Sequence, residues 1–179
     1  MSKPVIATAS LAGCFGCHMS LLDIDDRILK LIDLVEFHKS PIDDIKKFSK
    51  PCDVGLIEGG CCNSENVEVL RDFRQNCKIL ISVGECAIMG GLPALRNSLP
   101  LKECLEEAYF KSPTVDDHII PNDPELPLIL DKVYPLHEVV KIDYYLPGCP
   151  PSADFIWAAL TALLEGKPIP LTYPLIKYD

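Results

Sequence analysis

The feature that most restricts this chain is a recurring pair of patterns. A short run rich in Val, Ile and Leu leads into a glycine-bearing turn, and a stretch with apolar residues at helical spacing follows. Such runs occupy Lys3–Ala9, Asp53–Glu58, Lys78–Val83 and Val139–Leu146. After the first, Ser20–Leu34 sets Leu21, Leu22, Ile24, Ile28, Leu31 and Ile32 against Asp23, Asp25, Asp26 and Lys30, which predicts one amphipathic helix covering a sheet. Further helices are expected from Ser64 or Glu65 to Gln75 with Ser64 as cap, over Leu101–Phe110, and over Ser152–Glu165 closed by Gly166. Val35–Phe37 reads as a short strand, Ser40–Phe48 as a loop or brief helix, and Pro93–Arg96 as a turn of helix.

Strands alternating with helices at these lengths predict an α/β domain with a mostly parallel sheet and helices on its faces. At 179 residues the chain suits one domain over 1–166, with an extended tail over 167–179 that carries Pro168, Pro170 and Pro174. Lys111–Pro135 holds five prolines in 25 residues and little periodicity, so it reads as a surface connection without a core element.

In such sheets ligands bind beyond the carboxyl ends of the strands, and that rule sorts the nine cysteines. Cys14 and Cys17 follow the first strand, Cys61 and Cys62 the second, Cys86 the third and Cys149 the last. These six belong to one sheet edge. Cys52 and Cys77 precede strands and belong to the opposite edge, and Cys104 sits within a helix; these three read as small buried apolar side chains. Cys14, Cys17, Cys86 and Cys149 have the best loop chemistry for a four-thiolate cage around a 4Fe-4S cluster. The first two stand in Gly13-Cys14-Phe15-Gly16-Cys17, and each of the others has a glycine shortly before it in a tight turn. Pro150 directly after Cys149 is a recurrent companion of ferredoxin-type ligands.

Composition narrows the setting. The net charge of −9 comes without basic clusters, which argues against nucleic acid or an anionic membrane surface as partner. No apolar run approaches the roughly 20 residues of a membrane helix. An odd number of cysteines without an evident secretory signal predicts reduced thiols in a cytoplasm. Leu11-Ala12-Gly13-Cys14 looks like a lipoprotein cleavage box, but the run before it is short and carries Pro4, Thr8 and Ser10, a poor signal core.

The order Gly13-Cys14-Phe15-Gly16-Cys17-His18, Ile57-Glu58-Gly59, Gly84-Glu85-Cys86-Ala87 and Pro147-Gly148-Cys149-Pro150-Pro151 resembles, over nearly the whole chain, the small subunit of cytoplasmic NAD-reducing nickel-iron hydrogenases. More distantly it resembles the quinone-proximal iron-sulfur subunit of respiratory complex I. There the first cysteine pair is adjacent, so the spacing here favours the hydrogenase branch. The resemblance implies a flavodoxin-like domain holding one 4Fe-4S cluster beside the nickel-iron centre of a separate large subunit. Electrons would leave through a diaphorase module with FMN and further iron-sulfur clusters that reduces NAD. On that reading this chain belongs to a hydrogen dehydrogenase as electron carrier, and hydrogen is split elsewhere.

Other residues carry secondary expectations. Glu58 could take up a proton on cluster reduction, ligate iron in an oxidised state, or serve as a capping or partner-facing carboxylate. One unit charge at ~4 Å and effective dielectric ~20 is worth about 4 kcal/mol, on the order of 100–200 mV for a one-electron couple at ~59 mV per tenfold. Cys61 and Cys62 are alternative ligands or unligated loop thiols. His18 could donate to a sulfur, face the large subunit, or lie exposed at a helix start. Rival classes are a structural zinc domain on the same thiols, a thioredoxin-like oxidoreductase using Cys14 and Cys17 alone, and a flavin carrier, which would want a hydroxyl-rich phosphate loop where cysteines stand.

Overall fold

The computed structural model describes residues 3–116 and 118–176. Five parallel strands form the sheet: β1 (Val5–Ser10), β2 (Glu36–Phe37), β3 (Cys52–Glu58), β5 (Cys77–Val83) and β7 (Tyr144–Leu146), in the order β2-β1-β3-β5-β7. Counting only these strands the order is 2-1-3-4-5, the flavodoxin-like doubly wound arrangement, with its switch point between β1 and β3. A small antiparallel pair, β4 (Cys61–Asn63) with β6 (Ile129–Tyr134), stands beside it. The helices are α1 (Gly16–Leu22), α2 (Arg27–Leu34), α3 (Ser64–Asn76), α4 (Glu85–Met89), α5 (Leu101–Tyr109) and α6 (Ala153–Leu164).

The sheet is buried on both faces because its side chains alternate between two cores. Ile6, Val54, Leu56, Ile81 and Val83 meet Leu21, Ile24 and Leu31 from the α1–α2 region and Phe155, Ile156 and Leu160 from α6. Ala7, Ala9, Ile57 and Leu80 face the other way, against Leu70 and Phe73 of α3 and Ala87 of α4. Small residues let α3 approach closely there. A Cβ on Gly55 would come within 2.8 Å of Leu80 Cδ1 and 3.2 Å of Phe73 Cδ1.

Several sequence expectations need correction. The helix expected over Ser20–Leu34 is two helices, and the first begins at Gly16. Asp25 between them takes φ 54°, and the break carries Ile24 into the core with no exposed surface. The strand expected over Val139–Leu146 shrinks to Tyr144–Leu146, because Leu136–Glu138 forms a 3₁₀ turn and Ile142 is buried from an irregular segment. The Pro-rich stretch contains a strand after all. In β6 only Val133 is buried, so no alternation marked it, and its partner β4 is three residues long. The cap of α3 is Asn63, whose side chain accepts the Asn66 N–H at 2.8 Å, one residue before the expected Ser64. In the tail, Ile169, Leu175 and Ile176 pack against the α6 side of the sheet; the last part of that expected segment, 177–179, lies outside the described residues.

Asp143 fastens β7 to β5. Its N–H donates to Leu80 O at 2.9 Å, and its Oδ2 accepts from Leu80 N–H at 2.9 Å and from Arg74 Nη1 at 2.6 Å. Burial works against its ionisation, but the Arg74 guanidinium and the Leu80 N–H hold the carboxyl below the ordinary aspartate range. A depressed folded-state value contributes stability above the unfolded pKa of about 4, and that contribution is lost as pH falls through the folded value. Asp143→Asn is therefore expected to destabilise the protein by about 1–3 kcal/mol at pH 7 and to flatten the acid side of its stability curve, both read by urea unfolding from pH 7 down to pH 3.

Candidate metal centre

The register of the sheet levels the strand ends. Ser10 pairs with Glu58, Glu58 with Val83 and Val83 with Leu146, so four consecutive strands finish along one line. With strands ~4.8 Å apart, the loops that follow start within about 15 Å of one another. Backbone hydrogen bonds then tie these loops in pairs. Leu11 N–H donates to Glu58 O at 2.9 Å, and Ala12 and Gly60 exchange bonds at 3.0 and 2.8 Å. Gly84 N–H donates to Leu146 O at 2.8 Å, and Glu85 N–H to Gly148 O at 3.0 Å. Across the rim, Ser20 Oγ donates to Pro151 O at 2.5 Å, fixing α1 to the turn that bears Cys149.

One cavity at this rim is lined by Cys14, Cys17, Cys86 and Cys149, together with Glu58, Glu85 and glycines of the loops after β1, β3 and β7. Cys17 lies in the first turn of α1 and Cys86 in that of α4, while Cys14 and Cys149 stand in loops. Gly84, at φ 82°, precedes α4 so closely to Cys17 that a Cβ there would overlap the Cys17 sulfur.

The electrostatics of the cavity are unusual. Its lining contains four thiols and two carboxylates and, among the described residues, no basic side chain. Burial, and after it the charge of Glu58, drive the Cys17 thiol well above the ordinary range. Burial likewise raises Cys86, reinforced by the neighbouring thiols Cys149 and Cys14. Thiolates become stable here only if positive charge enters with a ligand, which suits a cationic metal-sulfide core. A thioredoxin-like site needs the reverse, a thiol lowered by positive surroundings. Among the described residues no three His, Cys, Asp or Glu side chains form a group placed to hold a single metal ion.

The remaining expected site residues are placed differently from one another. Glu58 lines the cavity, is 3 % exposed, and accepts the Cys17 N–H on Oε2 at 3.0 Å. Burial opposes its ionisation, yet the hydrogen bond and charge of His18 and the Cys17 N–H hold it below the ordinary carboxylate range. His18 is neither exposed nor turned to a sulfur. Because α1 starts a turn early, its ring is buried beneath Phe15, with Nδ1 on Glu58 Oε1 and Nε2 on Thr8 Oγ1 at 2.9 Å. Cys61 is buried in the α3-side core, and burial raises its thiol to about 11. Cys62 Sγ donates to Asn66 Oδ1 at 3.3 Å. Neither lines the cavity. Thr8 and Ser40, whose hydroxyls lie 2.7 Å apart, carried no expectation from the sequence, although a hydroxyl inside the apolar β1 run was the available signal.

The class this defines is a doubly wound α/β domain with a thiol-lined candidate metal centre beside its switch point. The chain belongs to the family of the NADH ubiquinone oxidoreductase 20 kDa subunit, whose sequence profile matches residues 14–163. It is 48% identical to the NAD-reducing hydrogenase HoxS subunit delta of Cupriavidus necator, over 99% of this chain and 86% of that protein. It is 33% identical to the iron-sulfur subunit of the F420-non-reducing hydrogenase of Archaeoglobus profundus, over 90% of this chain but only 56% of that longer protein. Its structure superposes on a chain of the crystal structure of an NAD+-reducing [NiFe]-hydrogenase in the H2-reduced state with a TM-score of 0.95, 53% identity and 99% coverage of both chains.

Gly84→Ala should cost the cavity its geometry more than the fold its stability. The expected result is loss of most bound iron from anaerobically purified protein with a far-ultraviolet circular dichroism spectrum like that of the parent.

Proposed function

We propose that this chain is the small subunit of an NAD-reducing nickel-iron hydrogenase, an electron carrier that holds one 4Fe-4S cluster on Cys14, Cys17, Cys86 and Cys149. The observation that carries this reading is the convergence of four loop thiols, remote in sequence, on one cavity with no basic lining residue among those described. The relationship to the HoxS delta subunit supports the choice of enzyme. The spacing of Cys14 and Cys17 supports the hydrogenase over the complex I branch of the family.

When bound, such a cluster supplies one-electron redox chemistry. The protein's share is to set how readily the electron is accepted. Burial and the Glu58 carboxylate disfavour added negative charge, whereas backbone N–H groups around the cavity favour it. Hydrogen itself is split at the nickel-iron centre of a large subunit, and electrons pass on to a diaphorase with FMN and further clusters. A cytoplasmic setting accords with nine free cysteines and with the absence, among the described residues, of a helix long and apolar enough to cross a membrane.

An apolar crest supports the large subunit as neighbour. Beyond Cys86, Met89 ends α4, Leu92 and Leu95 lie in the 3₁₀ segment Leu92–Ser98 and Leu99 follows it; all four are exposed, Leu92 and Leu95 to 72 and 68 %. Four exposed large apolar side chains within eleven residues are the mark of a protein interface.

Anaerobic purification with its partner chains should yield about four iron and four sulfide per copy of this chain. Cys86→Ser or Cys149→Ser should remove most of both, and zinc without iron in the parent protein would overturn the reading. Leu92→Asp combined with Leu95→Asp should abolish co-purification of the large subunit while this chain keeps its iron.

A further inference from the structure

A continuous buried string of polar groups runs from the surface segment after Ser40 to the backbone of Cys17. Ile42 N–H donates to Ser40 Oγ at 3.3 Å, Ser40 Oγ meets Thr8 Oγ1 at 2.7 Å, and Thr8 Oγ1 meets His18 Nε2 at 2.9 Å. His18 Nδ1 bonds Glu58 Oε1, and the other carboxylate oxygen takes the Cys17 N–H at 3.0 Å. Ser40, Thr8, His18 and Glu58 are all at most 4 % exposed.

The direction of the string follows from donor and acceptor inventory. The carboxylate only accepts, so His18 Nδ1–H points to it. In the singly protonated ring, with Nδ1 as the donor, Nε2 accepts the Thr8 hydroxyl, Thr8 accepts the Ser40 hydroxyl, and Ser40 accepts the Ile42 N–H; in the doubly protonated ring Nε2 donates to Thr8 Oγ1 instead. In the singly protonated form each donor points towards Glu58, and in either form each bond polarises the next in a low-dielectric interior. Neither Thr8 nor Ser40 lines the cavity of the four cysteines. Stacking of His18 on Phe15, with ring centroids 4.6 Å apart, leaves the imidazole little freedom to turn away.

We propose that Thr8 and Ser40 are positioning residues that act through His18 to orient and partly offset the Glu58 carboxylate, and so set the reduction potential of the metal centre from a distance. This deepens the reading of the site as an iron-sulfur centre and rests on it. Without the Thr8 hydroxyl, His18 Nε2 loses its hydrogen-bond partner and the bond to Glu58 weakens. The carboxylate charge then acts more fully on the cavity, and reduction becomes harder. Glu58→Gln removes that charge, so its effect has the opposite sign.

The test is an EPR-monitored redox titration of the complex purified with its partner chains, comparing parent, Thr8→Val, Thr8→Ser, Ser40→Ala and Glu58→Gln, with iron and sulfide measured on each. At fixed applied potential Thr8→Val should lower the reduced-to-oxidised ratio of the cluster about three- to tenfold, or ~30–60 mV at ~59 mV per tenfold. Ser40→Ala should shift it the same way by less, Thr8→Ser should restore the parent value, and Glu58→Gln should shift it upward. An unchanged potential in Thr8→Val and Ser40→Ala with full iron content overturns the proposal, as does a Thr8→Ser shift equal to that of Thr8→Val. Should Thr8→Val lose its iron, Ser40→Ala alone decides between the two outcomes. A parent protein without iron and sulfide instead overturns the underlying assignment of the site.

Discussion

Everything functional in this molecule depends on the parallel register of β1, β3, β5 and β7. Ser10, Glu58, Val83 and Leu146 stand opposite one another, so the loops leaving those strands begin level and close together. Cross-bonds between loops, such as Gly84 N–H to Leu146 O, complete the rim. A slip of one residue in any strand would turn its core side chains to the opposite face, and both cores, packed from α1, α3 and α6, resist that. Burial on two faces thus holds four distant thiols to one cavity.

The second constraint is charge. A cavity of thiols and carboxylates without a basic side chain among the described residues is unfavourable for thiolates by itself, and the rise imposed on Cys17 and Cys86 expresses that. Glu58 and Glu85 in the same lining disfavour an anionic phosphate, whereas a positively charged core of the kind proposed would offset the mutual repulsion of four thiolates. A fold that elsewhere accommodates FMN thus presents here, through the residues of its loops alone, a lining suited to the proposed metal centre.

Glu58 joins these two constraints. It ends β3, so the register places it at the rim, and its carboxylate receives both the Cys17 N–H and the His18 ring. His18 in turn is buried because α1 begins at Gly16 immediately after the cysteine loop. The polar string behind Glu58 passes through Thr8 on β1 to Ser40, and so connects the sheet interior with the surface segment beyond β2.

The sequence by itself determined the alternation of strands and helices, the edge to which each cysteine belongs, and the choice of Cys14, Cys17, Cys86 and Cys149 as the proposed ligands, because periodicity and glycine-bearing turns are local properties. It also marked Glu58, as the last residue of an apolar strand. Only the tertiary structure decided the rest. The break at Asp25, the strand β6 with a single buried side chain, and the sinking of Cys61 into the α3-side core depend on partners far away in the chain. The same holds for the bonds from Ser40 through Thr8 and His18. Each is a contact between residues 10 to 40 positions apart, and no local pattern specifies which hydroxyl a buried histidine will meet.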